Sequence, residues 1–381
     1  MIRHDRMTDT VIDLIRLDSH SRHEKLVAEY LVRVLRELGA DVRVDDAGPA
    51  VGSDTGNVLA TLGPTAQGVA PLLLSAHMDV VPPGTSVKPI REAERVRSDG
   101  TTILGGDDKT GLAIIIEVLR TLAERDVPHG AIEVAFTICE EIGLLGAKHV
   151  DAGALAAKEA IVLDSNHASQ LVTRAPSSDH FTFTVHGLEA HAGMCPENGI
   201  SAVRVAAEAV AAMPIGRVDA ETTSNVTIVE ASQATNVVPN LCVVTGEARA
   251  LRDERLDEVM REIRGAFMDA ASRAKITLNG ETRRAWIEEQ CDRTYHSLNV
   301  PDEAAIVQLV LHAARRLGAP LATVTIGGGS DANVFNRKGI TSVNLGTGMR
   351  DIHTVNEWID LPDFFRAAAI VLECVKERTA A

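Results

Sequence analysis

The chain has 381 residues, 45% of them apolar and 24% charged, and its 53 acidic against 38 basic residues give a formal charge of −15. That length exceeds what one hydrophobic core usually serves, so two domains are expected. The acidic balance argues against a nucleic-acid partner or an anionic membrane surface, and no apolar run approaches the ~18 residues of a membrane span. Cys139, Cys195, Cys242, Cys291 and Cys374 are scattered and never in C-x-x-C spacing. A disulfide framework and a structural zinc–cysteine site are therefore not expected, and a reducing, cytoplasmic setting is.

Met1–Leu17 lacks the continuous apolar stretch of a signal peptide and reads as an amphipathic helix. Helical periodicity runs over residues 6–39, is interrupted at Ser19–His23 and stops at Gly39. Short strands are predicted over 41–46 and 57–62, then a buried one in LLLSAHMDVV at 72–81, which reaches His77 and Asp79 before Pro82, Pro83 and Gly84 force a turn. GGDDKTG leads into a helix over 111–123, AIEVAFTI is a strand closing on Glu140 and Glu141, and residues 160–163 form another, closing on Asp164. Strands alternating with helices imply a mixed, mostly parallel sheet covered on both faces.

From about His180 the pattern changes to β-α-β-β-α-β, with KITLNGETRRA taken as the last strand. This is the split βαβ unit, a self-sufficient α+β domain. After Cys291 the α/β alternation resumes, with a helix over 302–317, a strand over 321–326, the GGGSDANVF segment, a strand over 341–345 and a helix over 361–378. The expected organisation is an α/β catalytic domain, residues 1–178 and 293–381, interrupted by a lid domain, 179–292.

His77, Asp79, Asp107, Asp108, Glu140, Glu141, Asp164 and His353 all fall at the ends of separate elements. In open α/β sheets ligands bind at the carboxyl ends of strands. Imidazole and carboxylate donors without thiolate suit zinc, or manganese or cobalt. The carboxylates outnumber what one catalytic zinc uses, whereas two ions sharing a bridging carboxylate use such a set economically. Asp79 can hold the second ring nitrogen of His77. Glu140 and Glu141 cannot both point the same way in extended chain, so one can bind metal while the other acts as general base.

The set AHMDVV, GGDDKTG, CEEIGLLGAKH, VLDSN and IHTVNEW, in that order across nearly the whole chain, resembles the co-catalytic di-zinc exopeptidase family. That family includes tripeptidase T, carboxypeptidase G, aminoacylase and succinyl-diaminopimelate desuccinylase, and GGDDK, EEIGLLGA and GGGSDANVFN are most similar to its peptidase T branch. The resemblance implies that His77, Asp107, Glu141, Asp164 and His353 are ligands to two Zn²⁺, with Mn²⁺ or Co²⁺ as alternatives. It implies that Asp107 bridges the ions, that the Asp107–Asp108 peptide is cis, that Glu140 is the base and that Asp79 orients His77. On the lid it implies His191 as oxyanion donor, Arg249 as the grip on a peptide carboxylate and Asn236 as a substrate contact, with the backbone of Gly328, Gly329 and Ser330 as further contacts. Homodimerisation through the lid belongs to the same expectation.

The residues themselves leave bland readings beside these: a structural salt bridge for Arg249, a surface histidine for His191 and a turn-stabilising role for Asp108. Cys139 reads as a small buried hydrophobe. GGDDKTG is not the phosphate loop G-x-x-x-x-G-K-[ST], and GGGSDA is not G-x-G-x-x-G. The predicted function is an exopeptidase cleaving the N-terminal bond of tripeptides or dipeptides. An N-acyl amino acid deacylase or glutamyl-type carboxypeptidase of the same fold is the alternative, and a non-catalytic binding protein that kept the fold is the third reading.

Overall fold

Four apolar runs form the parallel centre of a mixed sheet, in the order Ile132–Thr137, Leu72–His77, Glu159–Ser165 and Thr341–Gly346, in a computed structural model that describes residues 1–231 and 233–380. Every residue of Leu72–His77 and of Ile132–Thr137 is buried. Successive side chains point to opposite faces of a strand, so complete burial means that both faces are covered. Val58–Leu62 and Asp41–Val44 extend one side antiparallel. On the other side Gln170–Ala175 pairs antiparallel with Thr341–Gly346 and parallel with Ala322–Thr325. The chain divides into two compact units, Met1–Ala175 with Leu298–Ala381, and Pro176–Ser297. Among the described residues no helix is long and apolar enough to cross a membrane.

The inserted unit is built on a five-stranded antiparallel sheet in which Leu241–Ala250 lies between Thr222–Glu230 and Ser177–His186, and Trp286–Tyr295 closes one edge. Phe181, Phe183 and Val185, with Cys242, Val244 and Ala248, form one face, which packs with Val205 and Ala209 of one helix and Val259, Ile263 and Phe267 of the other. Its last sheet strand differs from the expected one. KITLNGETRRA is a separate hairpin of Lys275–Leu278 with Glu281–Arg284. Asn279 and Gly280 sit between them at φ of 51° and 83°, the paired left-handed residues of a tight hairpin turn. The strand that completes the sheet, Trp286–Tyr295, is an edge strand with charged outward residues and only partial burial within, which hides it from an apolar-pattern reading.

The helix Gly106–Glu124 is buried around most of its circumference, as expected of a helix packed inside a large domain. Its first turn comes close to the sheet. A Cβ at Gly111 would lie 2.3 Å from the Leu163 carbonyl oxygen and 2.7 Å from both Asp108 carboxylate oxygens. Glycine here is what lets the turn carrying Asp107 approach the strand carrying Asp164. Gly111→Ala should therefore destabilise by about 1–3 kcal/mol through overpacking. Gly265→Ala is the control: nothing lies within 4 Å of its would-be Cβ, in the helix Asp253–Arg273, and alanine there should stabilise by roughly 1 kcal/mol. Thermal melts of both variants check this; an unchanged melting temperature for Gly111→Ala would contradict the close-approach reading.

Candidate metal centre

The parallel strands end together. His77 pairs in register with Thr137, and Ser75 with Val162, which brings Asp164 level with His77. Glu140 and Glu141 follow Thr137 directly, and Thr341–Gly346 leads into a small antiparallel pair, Met349–Arg350 with Trp358–Asp360, whose connecting loop carries His353. Asp107 arrives from the first turn of the Gly106–Glu124 helix, where its own φ and ψ are not yet helical and the Asp107–Asp108 peptide is cis.

Asp107 is the meeting point. Its Oδ1 lies 3.2 Å from His77 Nε2, and its Oδ2 lies 3.1 Å from His353 Nε2. His77 Nε2 is also 3.8 Å from Asp164 Oδ1, and His353 Nε2 is 3.0 Å from Glu141 Oε1. Two groups able to hold an ion result, His77–Asp107–Asp164 and Asp107–Glu141–His353, each with its donor atoms within 4.8 Å of one another. One carboxylate serves both.

The electrostatics fit cations. Burial pushes Asp164 and Glu140 well above the usual carboxylate range, and neighbouring carboxylates push the same way. Burial opposes ionisation of Asp107 too, but the bonds from His353 and His77 outweigh it and hold its carboxyl far below that range. His353 is raised to about 10 by its bonds to Asp107 and Glu141. Burial disfavours a charged His77, yet Asp107 and Asp79 outweigh that and raise it. Carboxylates gathered away from water demand facing positive charge, and the neutral-imidazole and carboxylate donor set matches hard or borderline divalent ions.

Asp79 meets the second ring nitrogen of His77 with both its main chain and its side chain. His77 Nδ1 bonds its backbone carbonyl at 3.0 Å, while its carboxylate stands at 3.5 Å. That carboxylate also accepts the backbone N–H groups of Glu140 at 2.9 Å and Glu141 at 3.2 Å. Asp108 accepts from the N–H of His77 at 3.2 Å and of Gly111 at 3.0 Å, which is the turn-stabilising role. Ser330 is buried, its N–H donates to Asn333 Oδ1 at 3.0 Å and its hydroxyl accepts from Asn344 Nδ2 at 3.1 Å. It caps the helix Asp331–Arg337, and its main-chain carbonyl accepts the N–H of Asn333 at 2.9 Å, so both of its backbone groups are engaged in that cap.

Two residues that the motif reading passed over hold the centre together. Glu357 accepts from the N–H groups of Leu104 at 2.8 Å, Gly105 at 2.7 Å and Asp107 at 3.0 Å. Burial pushes it up to about 7. Asn344 accepts the N–H of Asp164 at 3.0 Å and donates to its carbonyl at 2.6 Å. Glu357 stands inside the IHTVNEW motif, an acidic residue next to a strand start; Asn344, mid-strand, is marked in the sequence only as a polar residue in an apolar run.

The profile of Peptidase family M20/M25/M40 matches residues 73–377. The chain belongs to this family. Two solved structures are similar over the full length of both chains: an aminopeptidase PepT of Bacillus cereus, 35% identical with a TM-score of 0.91, and a tripeptidase of Staphylococcus aureus, 34% identical with a TM-score of 0.92. An uncharacterized Bacillus subtilis protein, YqjE, is 36% identical over 99% of each chain. The protein is accordingly a hydrolase of the M20 metallopeptidase type, acting on short peptides from a chain end, on a mixed α/β fold with a mostly parallel central sheet.

The remaining candidates lie in the inserted unit. His191 is exposed on a short ribbon, Ala190–His191 paired with Val237–Val238, and the Asn236 carbonyl accepts the N–H of Ala192 at 2.9 Å on the same ribbon. His191 Nδ1 accepts N–H bonds from Gly193 and Met194, both at 3.2 Å. In the neutral ring this puts the proton on Nε2 and makes that nitrogen a donor. Arg249 Nη2 is paired with Glu247 at 3.0 Å on the sheet face away from the helices. Cys139 is buried, and burial pushes its thiol up, away from nucleophilic use.

Ligation needs neutral imidazole, and His353, at about 10 in the metal-free protein, is protonated near neutrality. Metal uptake should thus displace protons. Apparent affinity should fall as pH falls, by about one order of magnitude per pH unit for each proton displaced. Calorimetric Zn²⁺ titrations between about pH 6 and pH 8, in buffers of different ionisation enthalpy, measure both quantities. Uptake without proton release, at an affinity independent of pH, would contradict the assignment of His77 and His353 as ligands.

Proposed function

We propose that this M20 protein is a two-metal aminopeptidase that removes the N-terminal residue of tripeptides and dipeptides. The observation carrying the reading is the division of Asp107, one oxygen to each of two imidazole–carboxylate groups. The two solved relatives, an aminopeptidase and a tripeptidase similar along the whole chain, support the choice of substrate.

His77, Asp107 and Asp164 would hold one ion and Asp107, Glu141 and His353 the other, with zinc first by donor chemistry and manganese or cobalt as alternatives. Bound there, the ions would polarise the scissile carbonyl and acidify the attacking water. Glu140 is the base: it takes the proton of that water as the water attacks, then returns it to the leaving amine. His191 donates its Nε2–H to the oxyanion that develops on the carbonyl oxygen. Arg249 receives the peptide carboxylate in its guanidinium fork, exchanging Glu247 for it. Asn236 and the backbone of Gly328 and Gly329 contact the peptide.

The zinc-loaded protein should be assayed in parallel on unblocked tripeptides, their N-acetylated forms and N-acetyl amino acids. Unblocked tripeptides should be cleaved at the N-terminal bond, with roughly a hundredfold or greater preference over blocked ones, because a site built for a free amine leaves polar groups unpaired when it is capped. Faster hydrolysis of N-acetyl amino acids would replace this reading with a deacylase.

A further inference from the structure

Three consecutive main-chain N–H groups, those of Cys139, Glu140 and Glu141, all end on carboxylates. Those of Glu140 and Glu141 go to Asp79. That of Cys139 goes to Glu24 Oε1 at 3.0 Å, and the Cys139 thiol donates to the same oxygen at 3.3 Å. Glu24 is fully buried. Its Oε1 also accepts the N–H of Arg22 at 2.9 Å, and its Oε2 accepts the hydroxyl of Ser53 at 2.6 Å. Cys139 itself is in the left-handed region at φ 53°, a costly conformation for a residue with a side chain. A conformation of that kind persists where its surroundings hold it, and here the clamp on its N–H and thiol is one carboxylate.

The segment supplying Glu24 is fastened to the other half of the centre as well. Ser21 Oγ donates to Asp79 Oδ2 at 2.6 Å, Ser19 Oγ donates to the Met78 carbonyl at 2.8 Å, and the Val80 N–H donates to the Ser19 carbonyl at 2.9 Å. Just upstream, the fully buried Lys109 donates to the carbonyls of Leu14 and Leu17, both at 3.1 Å. Ser19–Glu24 thus lies between the strand end carrying His77 and the turn carrying Glu140, and is bonded to both.

We infer that Ser21 and Glu24 are positioning residues of the reaction. Through Cys139 and Asp79 they set the direction in which the Glu140 carboxylate leaves the turn, while Glu141 is directed to His353. The inference rests on Glu140 being the base and Glu141 a ligand. A base displaced by a fraction of an ångström still leaves the ligands in place, so the loss should appear in turnover and not in metal content or substrate affinity.

The test measures kcat, KM and bound metal for the zinc-loaded full chain and its variants, using an unblocked tripeptide. Glu24→Ala should lower kcat by about tenfold or more, with KM changed less than about threefold and two ions retained. Glu24→Gln keeps an oxygen facing the Cys139 N–H and should recover kcat to within about threefold of the parent. Ser21→Ala, which removes one bond to Asp79, should lower kcat by roughly three- to tenfold. A purely structural role would lower the melting temperature and leave kcat per metal-loaded molecule intact, and that result for Glu24→Ala overturns the inference. If Glu24→Ala does not fold, Ser21→Ala decides, and an unchanged kcat overturns it. Glu140→Gln separates this from the underlying reading. If Glu140→Gln remains active, the base assignment falls; if it is inactive while Glu24→Ala and Ser21→Ala match the parent, only the positioning inference falls.

Discussion

The site depends on the sharing of Asp107. Its two oxygens, 3.2 Å from one imidazole and 3.1 Å from another, couple the end of the His77 strand to a loop nearly three hundred residues later in the chain. That arrangement holds only where the main chain of Asp107 is fixed within reach of both imidazoles. Glu357 fixes its main chain from one side, and the glycine at 111 lets the same turn press against the Asp164 strand. Moving any one of these would shift both halves of the centre together.

The acidic residues of the site sort by what their oxygens face. Asp107, Glu141 and Asp164 face imidazoles. Asp79, Asp108, Glu357 and Glu24 accept main-chain N–H groups from the turns that present those residues. A carboxylate that accepts several backbone N–H bonds is a strong, directional clamp, and clamps of this kind suit a centre assembled from loops. The parallel strands supply the rigid platform, and the carboxylates fix the irregular chain at their ends. This division explains why the centre holds more acid than two ions could use.

Much of this was legible in the chain. LLLSAHMDVV, AIEVAFTI and the run before Asp164 are apolar segments stopping at polar residues, so buried strands and their functional ends could be located together. The match of GGDDKTG to a known motif, not its pattern, pointed to Asp107 as the shared residue. Strand alternation places Asp79 beside His77; the strand ends at His77, and beyond it the chain turns so that the carbonyl of Asp79, at 3.0 Å, meets the ring more closely than its carboxylate, at 3.5 Å. Glu357 and Asn344 escaped because their partners are main-chain groups 250 and 180 residues away, a distance at which periodicity carries nothing. In the inserted unit, the Asn-Gly turn splitting KITLNGETRRA was a readable hairpin signal, while the charged outer face of Trp286–Tyr295 concealed a true strand.

The most direct test of the account is anomalous diffraction from crystals of the zinc-loaded protein. Two peaks are predicted, each within about 2.0–2.2 Å of a different Asp107 oxygen, one beside His77 and Asp164 and the other beside Glu141 and His353. A single peak, or a pair in which Asp107 touches only one ion, would contradict it.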